Sequence, residues 1–254
     1  MNSLSLRQKV RNSSLFDQAA MVFGTQYGKI LKKDLIFFKT VFSNRKVKKI
    51  FDVGANNGIR SRSFVKLAEY VVAFEPDPSM ASIIRYRFSN TSKLKVEELA
   101  IGSEVGEGEF RKKKYPGYST LSEKSSEMSD ADGIETIDVF KVKISTIEQM
   151  VKKHGLPDYI KIDVEGFELN IFKSLNISVP LISFEANLPQ FRNETIEIID
   201  LNSRLNKDLR FNFRIGDESK LALPMNVEKN KLIEIIGLNF CGTIDIFVFN
   251  DVVE

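Results

Sequence analysis

The chain has one cysteine, one histidine and no tryptophan in 254 residues. Cys241 has no second thiol to pair with, so an internal disulfide and a cysteine-built zinc site are excluded, and a reducing compartment fits. With His154 far from it in sequence, Cys241 reads as a small apolar filler near the last strand rather than an activated nucleophile. Glycine and proline together occupy only 21 positions (14 and 7), too few for a fibrous repeat or a low-complexity linker. No run approaches the ~18 apolar residues of a membrane span, and the opening MNSLSLRQKVRNSSLF lacks a signal-peptide core, so a cytoplasmic location is expected. With 43% hydrophobic and 28% charged residues, the composition is that of a soluble globular protein with a well-buried core.

Charge is unevenly spread. Residues 1–50 hold 11 Lys and Arg against 2 Asp and Glu, and the remainder holds 26 against 32. Within the basic part, Leu31, Leu35, Phe38 and Phe42 recur at helical spacing, opposite Lys29, Lys32, Lys33 and Lys39. A helix covering the main domain with a solvated basic face is the expectation. Peripheral contact with an anionic membrane surface is the sharper alternative. The division expected is a basic helical extension over 1–45 and a catalytic domain over 46–254.

From residue 47 strand-like and helix-like stretches alternate, the pattern of a parallel sheet with crossover helices. Strands are expected at 47–53, 70–74, 94–101, 159–164, 181–184, 211–215 and 243–249, and helices at 59–69, 78–88, 167–175 and 194–206. A helix at 145–153 is expected to be capped by Ser145, with Glu148 three residues on. Residues 102–133, rich in Gly, Ser and charge, read as a hairpin excursion with a mobile polar tip, and 217–242 carries little signal.

In open α/β sheets ligands sit beyond the carboxyl ends of the strands. Those ends are acidic here: Asp52, Glu75, Asp163, Glu165 and Glu185. The turn FDVGANNG (51–58) has Asn56 where a dinucleotide fingerprint needs its middle glycine. Asp52 would repel a pyrophosphate, and no Lys-Ser/Thr pair follows Gly58, which excludes a P-loop. A ligand with a cationic amine and a ribose fits better: S-adenosylmethionine. Glu75, 17 residues past Gly58, is placed to accept from the ribose hydroxyls, with Pro76 and Asp77 completing the turn.

FDVGANNG, AFEPDP, ELAIG, GYSTL and above all YIKIDVEGFE resemble the FkbM-type S-adenosylmethionine-dependent methyltransferases. The resemblance runs from about residue 47 to 249. It implies a Rossmann-like, seven-stranded, mostly parallel α/β sheet with its last strand antiparallel, and methyl transfer to oxygen on a sugar, glycoconjugate or natural-product hydroxyl. It places Asp52, Gly54, Asn56, Asn57 and Gly58 at the methionine end of the cofactor, Glu75 and Pro76 at the ribose, and Ala100 and Ile101 beside the adenine. Many members carry glycine where this chain has Asn56, a residue that tolerates a left-handed backbone.

Asp163, Glu165 and Glu185 are the candidate catalytic carboxylates, Asp163 also touching cofactor. Methyl transfer to a hydroxyl requires in-line placement and removal of a proton, and clustered carboxylates raise one another's pKa as a base requires. The same three residues are the candidate ligands of a divalent metal, which is not favoured because acidic strand ends also serve hydrogen bonding alone. Glu168 reads as a helix-start residue. Ser119 and Thr120 are candidates for the acceptor pocket, Arg111 to Lys114 for a solvated hairpin face, and His154 for a solvated loop. The partner expected is a small-molecule or glycan acceptor. Methylation of RNA or a peptide is the second enzyme reading, although no RNA-binding module is recognisable, and a catalytically silent Rossmann-like binding module is the third. The oligomeric state has no signal.

Overall fold

The computed structural model describes residues 5–237 and 240–250. Residues 1–4 and 251–254, at the outer ends of the two expected domains, and 238–239 in the low-signal stretch lie outside the described residues.

The basic segment forms three helices, α1 (Leu6–Arg11), α2 (Ser14–Val22) and α3 (Gln26–Val41), where the sequence announced one. Polar caps separate them: Ser5, Ser13 and Thr25 each accept from a backbone N–H of the following first turn. There follow β1 (Lys49–Val53), α4 (Ser61–Leu67), β2 (Tyr70–Phe74), α5 (Pro78–Arg87), β3 (Leu94–Glu97), β4 (Ala100–Ile101) and β5 (Gly106–Lys113). After a single 3-10 turn at Pro116–Tyr118 come α6 (Glu123–Ala131), β6 (Thr136–Ser145), α7 (Ile147–His154), β7 (Tyr159–Ile162), α8 (Glu168–Phe172) and β8 (Leu181–Leu188). The chain closes with α9 (Arg192–Leu205), β9 (Arg210–Ile215), α10 (Lys229–Ile235) and β10 (Gly242–Phe249).

Seven strands form one sheet in the order β3-β2-β1-β7-β8-β10-β9. β10 runs antiparallel to both β8 and β9, and the β3-β2-β1-β7-β8 pairings are parallel. This is the expected Rossmann-like α/β arrangement. Order reverses between β1 and β7, and the crevice at that switch is where such sheets take ligands.

Strand alternation sorts the core onto two faces. Phe51, Val53, Ile160, Ile162, Phe184 and Ile246 face α7, α8, α9 and α10 in one apolar cluster. Ile50, Val71, Tyr159, Leu181 and Phe247 face the other way, against Phe37, Phe38 and Phe42 of the α3 end and Phe64 of α4. The bland expectation for the basic segment therefore describes α3: Leu31, Phe37 and Phe38 are buried while Lys29, Lys32, Lys33 and Lys39 are exposed. Asp34, also buried, binds the guanidiniums of Arg60 and Arg214, the latter at 2.9 Å, and so ties α3 to the sheet.

Four local expectations are corrected. Residues 94–101 are two strands, because after Glu97 the chain leaves the large sheet and Ala100–Ile101 pairs with Ile144 and Ser145 of β6 in a separate sheet ordered β4-β6-β5. The expected mobile tip is helix α6, whose inward residues are Ser126 and Ser129, so no apolar stripe announces it. Lys113 is not on a solvated face: it is fully buried, 2.9 Å from the Ser126 carbonyl and 2.7 Å from Asp130. The cap of α7 is Thr146, which accepts from Gln149 N, because Ser145 still belongs to β6.

Two single residues also differ. His154 ends α7 rather than lying in a solvated loop, with Nε2 2.9 Å from Glu97 Oε1. Cys241 is exposed, not a filler, because it precedes the first residue of β10.

Candidate active site

The turn after β1 is shaped by three left-handed residues, Gly54 (φ 77°), Asn56 (φ 50°) and Gly58 (φ 78°). At Gly54 a Cβ would stand 1.8 Å from the Asp163 carbonyl oxygen, so the close approach of the turns after β1 and β7 requires glycine. Asn56 keeps the turn without glycine, and its backbone N–H donates to Glu75 Oε2 at 2.7 Å. The other oxygen, Glu75 Oε1, accepts from Asp77 N at 2.8 Å. Each oxygen keeps a second lone pair for a ligand hydroxyl. Burial pushes the Glu75 carboxyl up to about 8, against the pull of those backbone donors.

A cleft of about 690 Å³ opens over this turn. Of the expected cofactor residues, Gly54, Asn56, Glu75, Pro76, Ala100, Ile101 and Asp163 line it, and Ser119, Thr120 and Glu165 join them. Among its described lining residues there are four carboxylates, Glu75, Asp77, Asp163 and Glu165, and no Lys or Arg. Those acceptors repel a pyrophosphate and suit a sulfonium and a ribose.

Asp52, Asn57 and Gly58 do not line the cleft. Gly58 backs onto the side chains of Phe88 and Ile84. Asp52 is fully buried on the α3 side of the sheet and accepts from Ser61 Oγ, with Lys161 Nζ 3.9 Å from its other oxygen. It positions the turn from below; strand alternation sends its carboxylate away from Val53, which does line the cleft.

The loop after β7 carries the carboxylates. Glu165 has a left-handed backbone (φ 54°), a conformation costing a side-chain-bearing residue about 1 kcal/mol. Two contacts hold it: Thr120 Oγ1 donates to the Glu165 carbonyl at 2.9 Å, and Glu168 Oε1 accepts from Val164 N at 3.0 Å and Gly166 N at 3.3 Å. Glu168 thus has the helix-start role read from the sequence, its carboxyl raised to about 7 because burial outweighs those bonds.

One carboxylate oxygen from each of Asp163, Glu165 and Glu185 lies within 4.8 Å of the others, so the three predicted residues do converge. Burial, and then the Asp163 charge, hold Glu165 and Glu185 well above the ordinary carboxylate range. Asp163 also has a cation within the protein: Lys161 Nζ at 2.8 Å. Burial pulls the Lys161 ammonium down, but Asp163 and Asp52 outweigh it and keep it charged. The trio is thus partly neutralised by the chain itself.

Sequence reasoning missed Lys161 and Asp245. Both were legible as charges inside short apolar strands, YIKI and TIDIFVF, two residues from an expected site or core position on the same face. Two cations of the excursion have partners outside the cleft's centre: Lys112 binds Asp77 at 2.9 Å and Arg111 lies 3.7 Å from Glu109.

A second cleft, of about 1290 Å³, abuts the first. Glu165 lines both. Glu185 lines only the second, together with Tyr118, Asn187, Gln190, Phe191 and Thr243, and no Lys or Arg is among its described lining residues.

A family model described as the methyltransferase FkbM domain matches residues 52–214. No curated protein matches the chain. Among solved structures, the precorrin-6y C5,15-methyltransferase from Geobacter metallireducens GS-15 is 10% identical with a TM-score of 0.45, over 87% of this chain and 89% of that one. The plantazolicin methyltransferase BpumL in complex with SAH is 8% identical with a TM-score of 0.45, over 96% and 94%. An rRNA methylase from Streptococcus thermophilus is 8% identical with a TM-score of 0.44, over 87% and 94%. Likenesses this distant bear on no functional point.

Proposed function

The chain belongs to the FkbM methyltransferase family and is an S-adenosylmethionine-dependent methyltransferase, and from that premise we propose that it methylates a hydroxyl of a neutral, polyhydroxylated acceptor such as a sugar, glycoconjugate or natural product. The observation carrying this reading is that Glu165 lines both clefts. The first cleft takes the cofactor and the second the acceptor, so Glu165 stands where the two reactants meet.

When bound, the cofactor supplies an electrophilic methyl group. The protein's own residues do the rest. Gly54 and Asn56 shape the turn against which the methionine end lies, Glu75 accepts from the ribose hydroxyls, and Ala100 and Ile101 flank the adenine. Glu165 accepts the proton of the acceptor hydroxyl. A carboxyl held above its usual range by burial and the Asp163 charge is a stronger base once ionised, which suits a weakly acidic alcohol. Glu185, also raised, accepts from a neighbouring acceptor hydroxyl, while Lys161 ion-pairs with Asp163 beside them.

Lining chemistry supports a neutral acceptor over RNA. A phosphate backbone calls for Lys and Arg, whereas the second cleft offers carboxylates, amides and hydroxyls, with Tyr118 and Phe191 as aromatic surfaces. A divalent metal is not favoured, since the Lys161 ammonium already offsets part of the charge of the three carboxylates. The test is incubation with methyl-labelled cofactor and a panel of glycosides and fractionated extract. Label in a base-stable methyl ether supports the reading. Label recovered only in RNA or in a peptide contradicts it.

A further inference from the structure

A third cavity, of about 870 Å³, lies between α2, α3, α4 and the end of α5. It shares no lining residue with either cleft described above. Leu31, Leu35, Val65 and Phe88 make an apolar wall. Arg62, Arg87 and Lys66 make a cationic one.

The two arginines are the unusual feature. Arg62 is 8% exposed and Arg87 7%, so both have left water. Yet Nε and Nη2 of Arg62 and Nε and Nη1 of Arg87 have no hydrogen-bond partner. Buried guanidinium N–H groups without acceptors are costly, and native proteins leave few of them. The surroundings offset this only in part. Asp17 Oδ2 ion-pairs with Arg62 Nη1, its other oxygen accepts from the Tyr27 hydroxyl at 3.2 Å, and that hydroxyl also faces Arg87. Arg87 Nη2 donates to Asn12 Oδ1, a neutral acceptor, and the Arg62 guanidinium carbon lies 5.7 Å from the Tyr27 ring centre. Burial and then the Arg87 charge pull Arg62 down to about 9, and burial lowers Arg87 too. One carboxylate therefore faces three cations beside the cavity, and guanidinium N–H donors of two of them are left over.

We propose that this cavity binds an anionic amphiphile, a phosphomonoester on an apolar tail, whose phosphate accepts from Arg62 and Arg87 and whose tail lies on Leu31, Leu35, Val65 and Phe88. A tetrahedral dianion supplies the acceptors these guanidiniums lack, and arginine forks match its geometry. Lys66, exposed at the edge of the cavity, adds a mobile third charge. The site touches the cofactor turn from behind: Arg62 follows Ser61, which donates to Asp52, and Phe88 packs under Gly58.

The test uses the full chain, calorimetry and thermal unfolding, with octyl phosphate below its micellar concentration, inorganic phosphate and octyl glucoside as probes. Octyl phosphate binds and raises Tm, inorganic phosphate binds at least ~10-fold more weakly because it has no tail, and octyl glucoside gives no shift. Saturating S-adenosylhomocysteine does not displace octyl phosphate. Arg87→Met weakens octyl phosphate by ~10-fold or more and Lys66→Glu by roughly 3-fold or more, with affinity for S-adenosylhomocysteine unchanged. Should Arg87→Met not fold, the exposed Lys66→Glu variant decides. No binding of octyl phosphate, equal binding of octyl glucoside, displacement by S-adenosylhomocysteine, or unchanged affinity in the folded variants would each overturn the proposal.

Discussion

The two faces of the large sheet are built from the same strands and differ in kind. Toward α7, α8, α9 and α10 six of the seven strands, all but β3, contribute apolar side chains along their length, from Phe51 and Val53 to Ile160, Ile162, Ile244 and Ile246. Toward α3 and α4 the same strands begin apolar, with Ile50, Tyr159 and Leu181, and turn polar and ionic at their other ends, with buried Asp52, Lys161, Ser183 and Arg214 and half-buried Asp245. The first face is a core whose energy is burial and packing. The second spends part of its burial on charges, which is unfavourable for stability and needed for a site. What the contrast teaches is that the candidate active site lies at the rim of a polar and ionic layer reaching down to Asp34 on α3, and that α3 is packed into that layer.

The largest expected effect lies where that layer reaches the clefts. Glu165→Gln keeps shape and removes the base, so kcat should fall by about 10²–10⁴, and the ascending limb of the pH–rate profile, set above the ordinary carboxylate range, should vanish. A profile that keeps its limb in this variant would move the role to Glu185.

Deeper in the layer, Asp34→Ala leaves Arg214 fully buried without its carboxylate partner and should cost about 3–5 kcal/mol in urea unfolding. A loss below 1 kcal/mol, as is usual for exposed ion pairs, would mean that α3 is held by its phenylalanines alone.

The ionic layer should also make stability depend on pH. Glu75 and Glu168 have folded pKa values raised to about 8 and about 7, above the 4.5 of an unperturbed glutamate. The fold therefore favours their protonated forms: that stabilisation is complete below the unfolded value and is lost as pH rises through about 7 to 8. The cofactor-free protein should lose on the order of 1–3 kcal/mol across this window, seen as a falling urea midpoint. A midpoint that rises across it would contradict the burial of these groups.

The apolar face supplies the smallest effect. Ile162→Val removes one methylene from packed core beside Lys161 and should cost about 0.5–1.5 kcal/mol while leaving kcat within about twofold. A tenfold drop in kcat would show that the two faces are not separable.

Much of this was legible in the sequence because it depends on local periodicity. Strand alternation, the glycine turn and the acidic strand ends placed the sheet, the cleft and the convergence of Asp163, Glu165 and Glu185. What was not legible depends on polar residues buried by distant partners. α6 buries Ser126 and Ser129 rather than an apolar stripe, Lys113 is hidden by its pairing with Asp130, and α3 is fixed by Asp34 meeting Arg60 and Arg214 far along the chain. Asp52 was expected to face the ligand because its turn does. Alternation along β1, applied to Asp52 and Val53 together, turns it to the other side.

The central claim is that cofactor and acceptor occupy separate clefts that meet at Glu165. Calorimetric titration with S-adenosylhomocysteine tests it most directly, on the unaltered chain and on Glu75→Gln and Glu185→Gln, which line different clefts. The account predicts binding by the unaltered chain, an affinity at least ~10-fold weaker in Glu75→Gln, where an acceptor oxygen for the ribose hydroxyls is lost, and no change in Glu185→Gln. Loss of binding in Glu185→Gln with retention in Glu75→Gln, or no binding by the unaltered chain, would contradict it.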